Sequence, residues 1–245
     1  VAAARQQGVT VTIATGRTHS SAVPYARRLG LGDVPLITYN GALIQTAETN
    51  RVLRHAPVPL AEAIEIARYC EEKGYYVQGY VDDDFIYPWY GVSSELYSRI
   101  SGLPGREVGP ISVYLEAHPT DLPSKMLMVE DPPLIEAAIP ELQQRLGDRI
   151  LLARSYPYFL EMIDSRVSKG TSLAWLAQEL GVRRDEVLAV GDSYNDLDML
   201  EFAGVSGAIA GAPKAVQDKA TVVLADGPSL GVAEAIHRFV LGGAS

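Results

Sequence analysis

The chain has 245 residues, enough for one large domain or two modest ones, and its 47% apolar and 21% charged residues are ordinary for a globular protein. A net charge of −9 with no Lys/Arg block argues against a nucleic-acid or membrane-surface partner, so an anionic substrate would need a local positive site or a bound metal. The single cysteine, Cys70, excludes an intramolecular disulfide and fits a reducing cytoplasm, with a buried, inert thiol as its expected role.

The opening VAAARQQG reads as the last two turns of a helix closed by Gly8. A helix with no beginning, on a chain that opens with Val, sets the expectation that something upstream is missing. VTVTIA (9–14) is a β-rich apolar run. THSSAVPYARRLG follows as a helix in which Pro24 is tolerable only near the first turn. VPLITY (34–39) is a second buried strand, NG (40–41) a turn, and ALIQ with RVLRH a hairpin-like stretch.

From about residue 52 to 160 the pattern changes. PLAEAIEIARYCEEKG (59–74) is an amphipathic helix ended by Gly74, and YYVQGYVDDDFIYPWY (75–90) reads as strands around a turn. SKMLMVE is a strand, PPLIEAAIPELQQRLG (132–147) a helix, and RILLARS and YFLEMID two more strands. This mixture predicts an α+β unit with an antiparallel sheet. From 165 onward helix and strand alternate: SKGTSLAWLAQELG, EVLAVGD, NDLDMLEFA, VSGAIA, PKAVQDKA, TVVLA and SLGVAEAIHRFVLGG. That alternation predicts an α/β fold with a Rossmann-like, doubly wound parallel sheet. The expected domains are a discontinuous core, 1–47 plus 163–245, and an inserted α+β unit, 48–162.

Ligands of open parallel sheets bind beyond the carboxyl ends of the strands. Three such ends carry polar residues: TGR (15–17), NGA (40–42) and GDSYND (191–196), while Lys169 opens a helix in VSKGTS. The Thr15 hydroxyl and loop N–H groups would hold phosphate oxygens, with Lys169 balancing the charge. Asp192 would ligate Mg2+, a hard cation that takes one or two carboxylates plus waters and phosphate. Each cluster alone is a turn, a cap or a surface lysine; their convergence is what carries the reading.

In this order the segments resemble the haloacid-dehalogenase-like (HAD) hydrolases, in particular their Cof-type, subfamily IIB phosphatases with an α/β cap. TIATGR is similar to that family's second motif, VSKGTSL to its third and VGDSYNDLDML to its fourth, and LITYNGALI, YPYFLEMID and AIAGAPKAVQDKA extend the likeness over the whole chain. The resemblance implies a Mg2+-dependent phosphatase in which an aspartate attacks phosphorus and a second aspartate two residues on serves as acid and base. It assigns catalytic roles to Thr15, Lys169, Asp192 and Asp196, with Asp192 and Asp196 at the metal. Gly16, Arg17, Asn40, Gly41 and Asn195 would contact substrate. Asp198 would only favour a helix start.

The family's first motif, DxDGT, which holds the nucleophile, is not in these residues. DDD (82–84) falls in a turn of the inserted unit, and DLD (196–198) belongs to the fourth motif. The missing strand would be central in the sheet, leaving two unpaired strand edges and a wide apolar cleft. The expected parent is therefore a phosphatase whose nucleophile lies upstream of residue 1. The alternative is a binding protein for phosphorylated ligands that lacks it.

The expected partner is a small phosphorylated metabolite, a sugar phosphate or similar, with the chain monomeric or homodimeric. Tyr80, Tyr87, Trp89, Tyr90 and Tyr97 are candidates to stack on a substrate ring, or to pack the inserted unit's own core. His19 reads as an exposed helix-start residue over one that reaches the cleft, and Arg17 as holding its loop by an ion pair over steering the phosphate. A nucleotide-binding oxidoreductase is disfavoured because no strand is followed by GxGxxG.

Overall fold

A computed structural model describes residues 1–242. In chain order, α1 (Ala2–Gln6) and α2 (His19–Arg28) precede β1 (Pro35–Thr38), β2 (Leu43–Thr46) and β3 (Val52–His55). Next come α3 (Leu60–Lys73), β4 (Val77–Val81), β5 (Asp84–Tyr87), α4 (Val92–Ser101) and β6 (Arg106–Glu107). They are followed by α5 (Ile111–Ala117), β7 (Met126–Val129), α6 (Pro132–Leu146), β8 (Ile150–Tyr156) and β9 (Phe159–Asp164). The chain ends with α7 (Lys169–Glu179), β10 (Leu188–Gly191), α8 (Leu197–Phe202), β11 (Val205–Ile209), α9 (Lys214–Gln217), β12 (Val222–Leu224) and α10 (Pro228–Phe239). Among the described residues no helix is long and apolar enough to cross a membrane.

The chain divides into two compact units, one of residues 1–17, 22–53 and 168 onward, the other of residues 18–21 and 54–167. In the second unit six strands lie in the order β6-β5-β4-β7-β9-β8, antiparallel except for the β5–β6 pair. Period-2 alternation points Val77, Gly79 and Val81 to one face, where Val77 and Val81 join Met126, Met128, Leu160 and Met162 in a single core beneath α3, α5 and α6. Helix α3 meets that core with Ala63, Ile66, Ala67 and Cys70, the three-and-four spacing of one helical stripe. It ends where Gly74 takes φ 71°, a left-handed cap. The helices at 92–101 and 111–117 have no counterpart in the sequence reading. In the first, Val92 and Leu96 are exposed.

The first unit is the α/β part. Strands β10, β11 and β12 are parallel, and β1, β2 and β3 form a second small sheet in which β1 and β2 are antiparallel. The apolar run 9–14, predicted as a strand, pairs on one side only. Ala14 bridges Ile37 in parallel, Ile37 N–H donates to the Ile13 carbonyl, and Thr15 N–H donates to the Ile37 carbonyl. The propensity is satisfied as extended backbone, but among the described residues the run has no second neighbour. Clusters of buried side chains flank it on both sides, and half-buried Ala14 and Leu173 border two of them.

Two local expectations need correction. Pro24 sits in the sixth position of α2, beyond the first turn; the carbonyl left without its donor belongs to Ser20, and both residues are exposed, so water can serve it. His19 is buried, 3% exposed, rather than an exposed helix-start residue. The DDD segment is a turn between β4 and β5, with Asp82 and Asp83 at φ 51° and 61°. The Asp83 carboxylate accepts the N–H groups of His19 and Ser20, at 2.7 and 2.6 Å within the second unit, so it is a cap.

Candidate phosphate site

The polar residues predicted at the strand ends meet in the first unit. The extended run 9–14 delivers Thr15, whose Oγ1 accepts the N–H of Arg17 at 3.2 Å. A hydroxyl carries one donor and two acceptor lone pairs, so its proton remains available to a ligand oxygen. Beyond β1 the chain reverses through Tyr39, Asn40 and Gly41, at φ 51°, 56° and 108°. Asn tolerates the left-handed region, and Gly41 is required by contact as well as conformation: a Cβ there would lie 2.2 Å from the Ser168 carbonyl oxygen. That turn is pinned from two sides. Asn40 N–H donates to the Thr15 carbonyl at 3.0 Å, and Ser172 Oγ donates to the Gly41 carbonyl at 2.7 Å.

Helix α7 starts at Lys169 because Ser168 caps it. Ser168 Oγ accepts Thr171 N–H at 3.1 Å, and Thr171 Oγ1 returns the bond from Ser168 N–H at 2.9 Å. The cap aims Lys169 inward, where it is 7% exposed and its Nζ donates to Asp196 Oδ1 at 2.6 Å. Asp196 is fully engaged. Its Oδ2 accepts the N–H groups of Asp192 and Ser193, both at 3.0 Å, so the carboxylate shapes the loop that follows β10. Asp192 itself is exposed and accepts only a 3.1 Å bond from Ser193 Oγ. Asn195 Nδ2 donates to Asn40 Oδ1 at 2.9 Å, joining the loop after β10 to the turn after β1.

Of the predicted site residues, the structure thus gathers Thr15, Asn40, Gly41, Lys169, Asp192, Asn195 and Asp196 through these bonds. Gly16 lies against Asn40, since a Cβ there would come within 2.9 Å of Oδ1. Arg17 is exposed, with its guanidinium 5.4 Å from the Tyr25 ring centroid, which suits the loop-holding role. Asp198 does more than favour its own helix. One oxygen accepts Met199 N–H, and the other accepts Gly170 N–H at 2.9 Å at the start of α7. Ser168 and Ser172 were missed, although the S-x-x-T spacing before an apolar run signals the first.

A Mg2+ ion fits this donor set in part. Asp192 is an exposed carboxylate, the kind of hard oxygen ligand such an ion takes alongside water and phosphate. Asp196 does not fit direct ligation, because Lys169 and two backbone N–H groups already use its oxygens. Among the described residues no three acidic, His or Cys side chains cluster as a self-contained metal site. The cap aromatics divide: Tyr80 and Tyr87 are buried, and half-buried Tyr97 makes edge contacts with Tyr80, Phe85 and Phe159. Trp89 and Tyr90 are exposed.

Residues 1–236 match the haloacid dehalogenase-like hydrolase family. The chain belongs to that family. A Bacillus subtilis relative named "Putative phosphatase YxeH" is 29% identical over 260 residues, covering 98% of this chain and 88% of its own. The pyridoxal phosphate phosphatase YbhA of Escherichia coli is 26% identical, with 98% and 90% covered. A solved structure from Thermotoga maritima superposes with a TM-score of 0.85 at 25% identity, over 96% of this chain and 86% of that one. Membership makes the chain a hydrolase by family, with the α/β core and cap of the HAD fold.

Proposed function

We propose that the protein is a Cof-type phosphatase that hydrolyses small phosphate monoesters with Mg2+, through an aspartyl-phosphate intermediate. The observation that carries this reading is the buried Lys169–Asp196 pair, whose loop the Asn195–Asn40 bond ties to the turn held by Thr15. Lys169 has three N–H donors and spends one on Asp196, leaving two for an anion. The Thr15 hydroxyl adds a neutral donor, and the Asn40–Asn195 bond fixes two amides beside it. The names of the relatives support phosphate esters as substrates, pyridoxal phosphate among them.

Bound Mg2+ would supply positive charge at the phosphoryl oxygens, with Asp192 as its ligand from this chain. The chain's own residues do the rest. Asp196 holds the Asp192–Ser193 backbone in place, Lys169 neutralises an incoming phosphoryl oxygen, and Thr15 orients it.

The test is hydrolysis of a panel of sugar phosphates and pyridoxal phosphate by the purified full-length protein. Mg2+-dependent turnover that Asp192→Ala abolishes is the expected result. Tight phosphate binding without turnover would instead identify a binding protein. Unchanged turnover in Asp192→Ala would remove Asp192 from the site.

A further inference from the structure

The sheet of the second unit has two unlike edges. At one end β6 contributes only Arg106 and Glu107, and a short, charged strand is one way a sheet edge is kept from pairing further. At the other end stands β8, the longest strand among the described residues at seven, with β9 as its only neighbour among them.

The free side of β8 has a definite phase. Ser165 N–H donates to the Arg149 carbonyl, and in an antiparallel ladder bonded and non-bonded pairs alternate. Leu151 and Ala153 therefore turn their backbone groups toward Ile163 and Glu161 of β9, while Ile150, Leu152 and Arg154 turn theirs outward. A register shift between Arg154 and Tyr156 ends the regular stretch, so the open row is 150–154. The side chains alternate between the two faces. Ile150 and Leu152 join the core beneath α3, α5 and α6, whereas Leu151 lies on the opposite face and is 45% exposed.

An open row of main-chain groups is a template for one more strand. What selects the strand here is that the edge is complementary to itself. Two copies of β8 laid antiparallel about a two-fold axis at Leu151 set outward-facing Ile150 against outward-facing Leu152 of the second copy, and each such pair exchanges two main-chain bonds. The same register brings Arg154 beside exposed Asp148 of the second copy, twice by symmetry. Glu136 already holds Arg154 from α6, and a guanidinium with five N–H donors can serve both carboxylates. Leu151 meets its own counterpart across a non-bonded pair, where side chains approach most closely. Moving the axis to Leu152 would set Arg154 against Ile150 and forfeit the charge contact. We infer that the protein self-associates through β8, two copies pairing edge to edge so that their two sheets become one. The inference concerns the second unit and does not rest on the phosphatase reading.

The test places a thiol on the axis. In this register Leu151→Cys sets two thiols on facing residues whose Cα atoms lie about 4.5 Å apart, within disulfide reach, whereas Ala153→Cys leaves its pair too far apart to bridge. Fully buried Cys70 does not compete. Under mild oxidation of the dilute, purified full-length protein, Leu151→Cys should run as a linked dimer on a non-reducing gel and Ala153→Cys as a monomer. Sedimentation equilibrium of the natural protein should show a reversible dimer. Leu151→Lys sets like charges face to face and should raise its dissociation constant at least about tenfold. The cysteine variants give the answer independently if the lysine variant misfolds. A monomer at every concentration, a dimer indifferent to Leu151→Lys, or linking faster through residue 153 than through 151 would each overturn the pairing.

Discussion

Lys169 Nζ lies 2.6 Å from Asp196 Oδ1, and the two side chains are only 8% and 6% exposed. The pair joins the first residue of α7 to the loop after β10, so it is both a structural tie and the positive centre of the site. Removing one member of a buried pair leaves the other charge without compensation, at a cost of about 3–5 kcal/mol. Asp196→Ala is therefore expected to lower the unfolding free energy by that amount in a urea titration. The double variant Lys169→Met with Asp196→Asn, which keeps an acceptor for the Asp192 and Ser193 N–H groups, should recover much of the loss while weakening phosphate binding. Equal stability of Asp196→Ala and the natural protein would show that the pair carries no structural weight.

Two glycines with positive φ separate conformation from contact. Gly74 ends α3 at φ 71° with open space around the position of a Cβ, whereas at Gly41 a Cβ would strike the Ser168 carbonyl oxygen. Gly74→Ala pays only the left-handed backbone cost, about 1–2 kcal/mol. Gly41→Ala adds a clash against a helix cap and should cost clearly more, with weaker phosphate binding because the turn carrying Asn40 must move. Thermal unfolding of the two variants side by side checks the order.

The sequence makes the site's residue types visible because strand ends in a parallel sheet are predictable places for chemistry, and Thr15, Asn40, Lys169 and Asp192 all fall there. What it hides is the division of labour. Asp192 and Asp196 look alike as letters, yet the bond from buried Lys169 makes Asp196 a loop anchor and leaves Asp192 exposed. That distinction depends on a contact between residues 27 apart. The run 9–14 has the composition of a buried strand but, among the described residues, a partner on one side only, since pairing is a property of the neighbour and not of the run. Helix α4 escaped notice, and two of its apolar residues, Val92 and Leu96, stand exposed.

Cys70 is fully buried in the core beneath α3, and burial pushes its thiol well above the usual range because the thiolate is the form that loses solvation. A disulfide reagent such as dithionitrobenzoate should leave it untouched in the native protein at pH 8 and consume one thiol per chain in denaturant. Fast labelling of the native protein would contradict the packing of α3.

Asp33 gives the clearest pH dependence. Its carboxylate accepts the Thr49 hydroxyl at 2.7 Å and the N–H groups of Thr49 and Glu48, both at 2.8 Å. Those bonds, the hydroxyl's foremost, favour the ionised form and hold the pKa at about 2, below its ordinary 3.8. A depressed native pKa means the unfolded chain binds more protons between the two values, so stability rises with pH across that window. The contribution is fully present above the ordinary value and fades as the pH falls toward 2. Asp33→Ala should therefore be less stable than the natural protein near neutral pH. The gap should narrow steadily as acid is added, since the natural protein alone loses this contribution. Urea midpoints measured on both proteins from neutral pH into that acidic window test it, and a gap that stays constant would mean the turn at 46–49 is held by something other than the charged carboxylate.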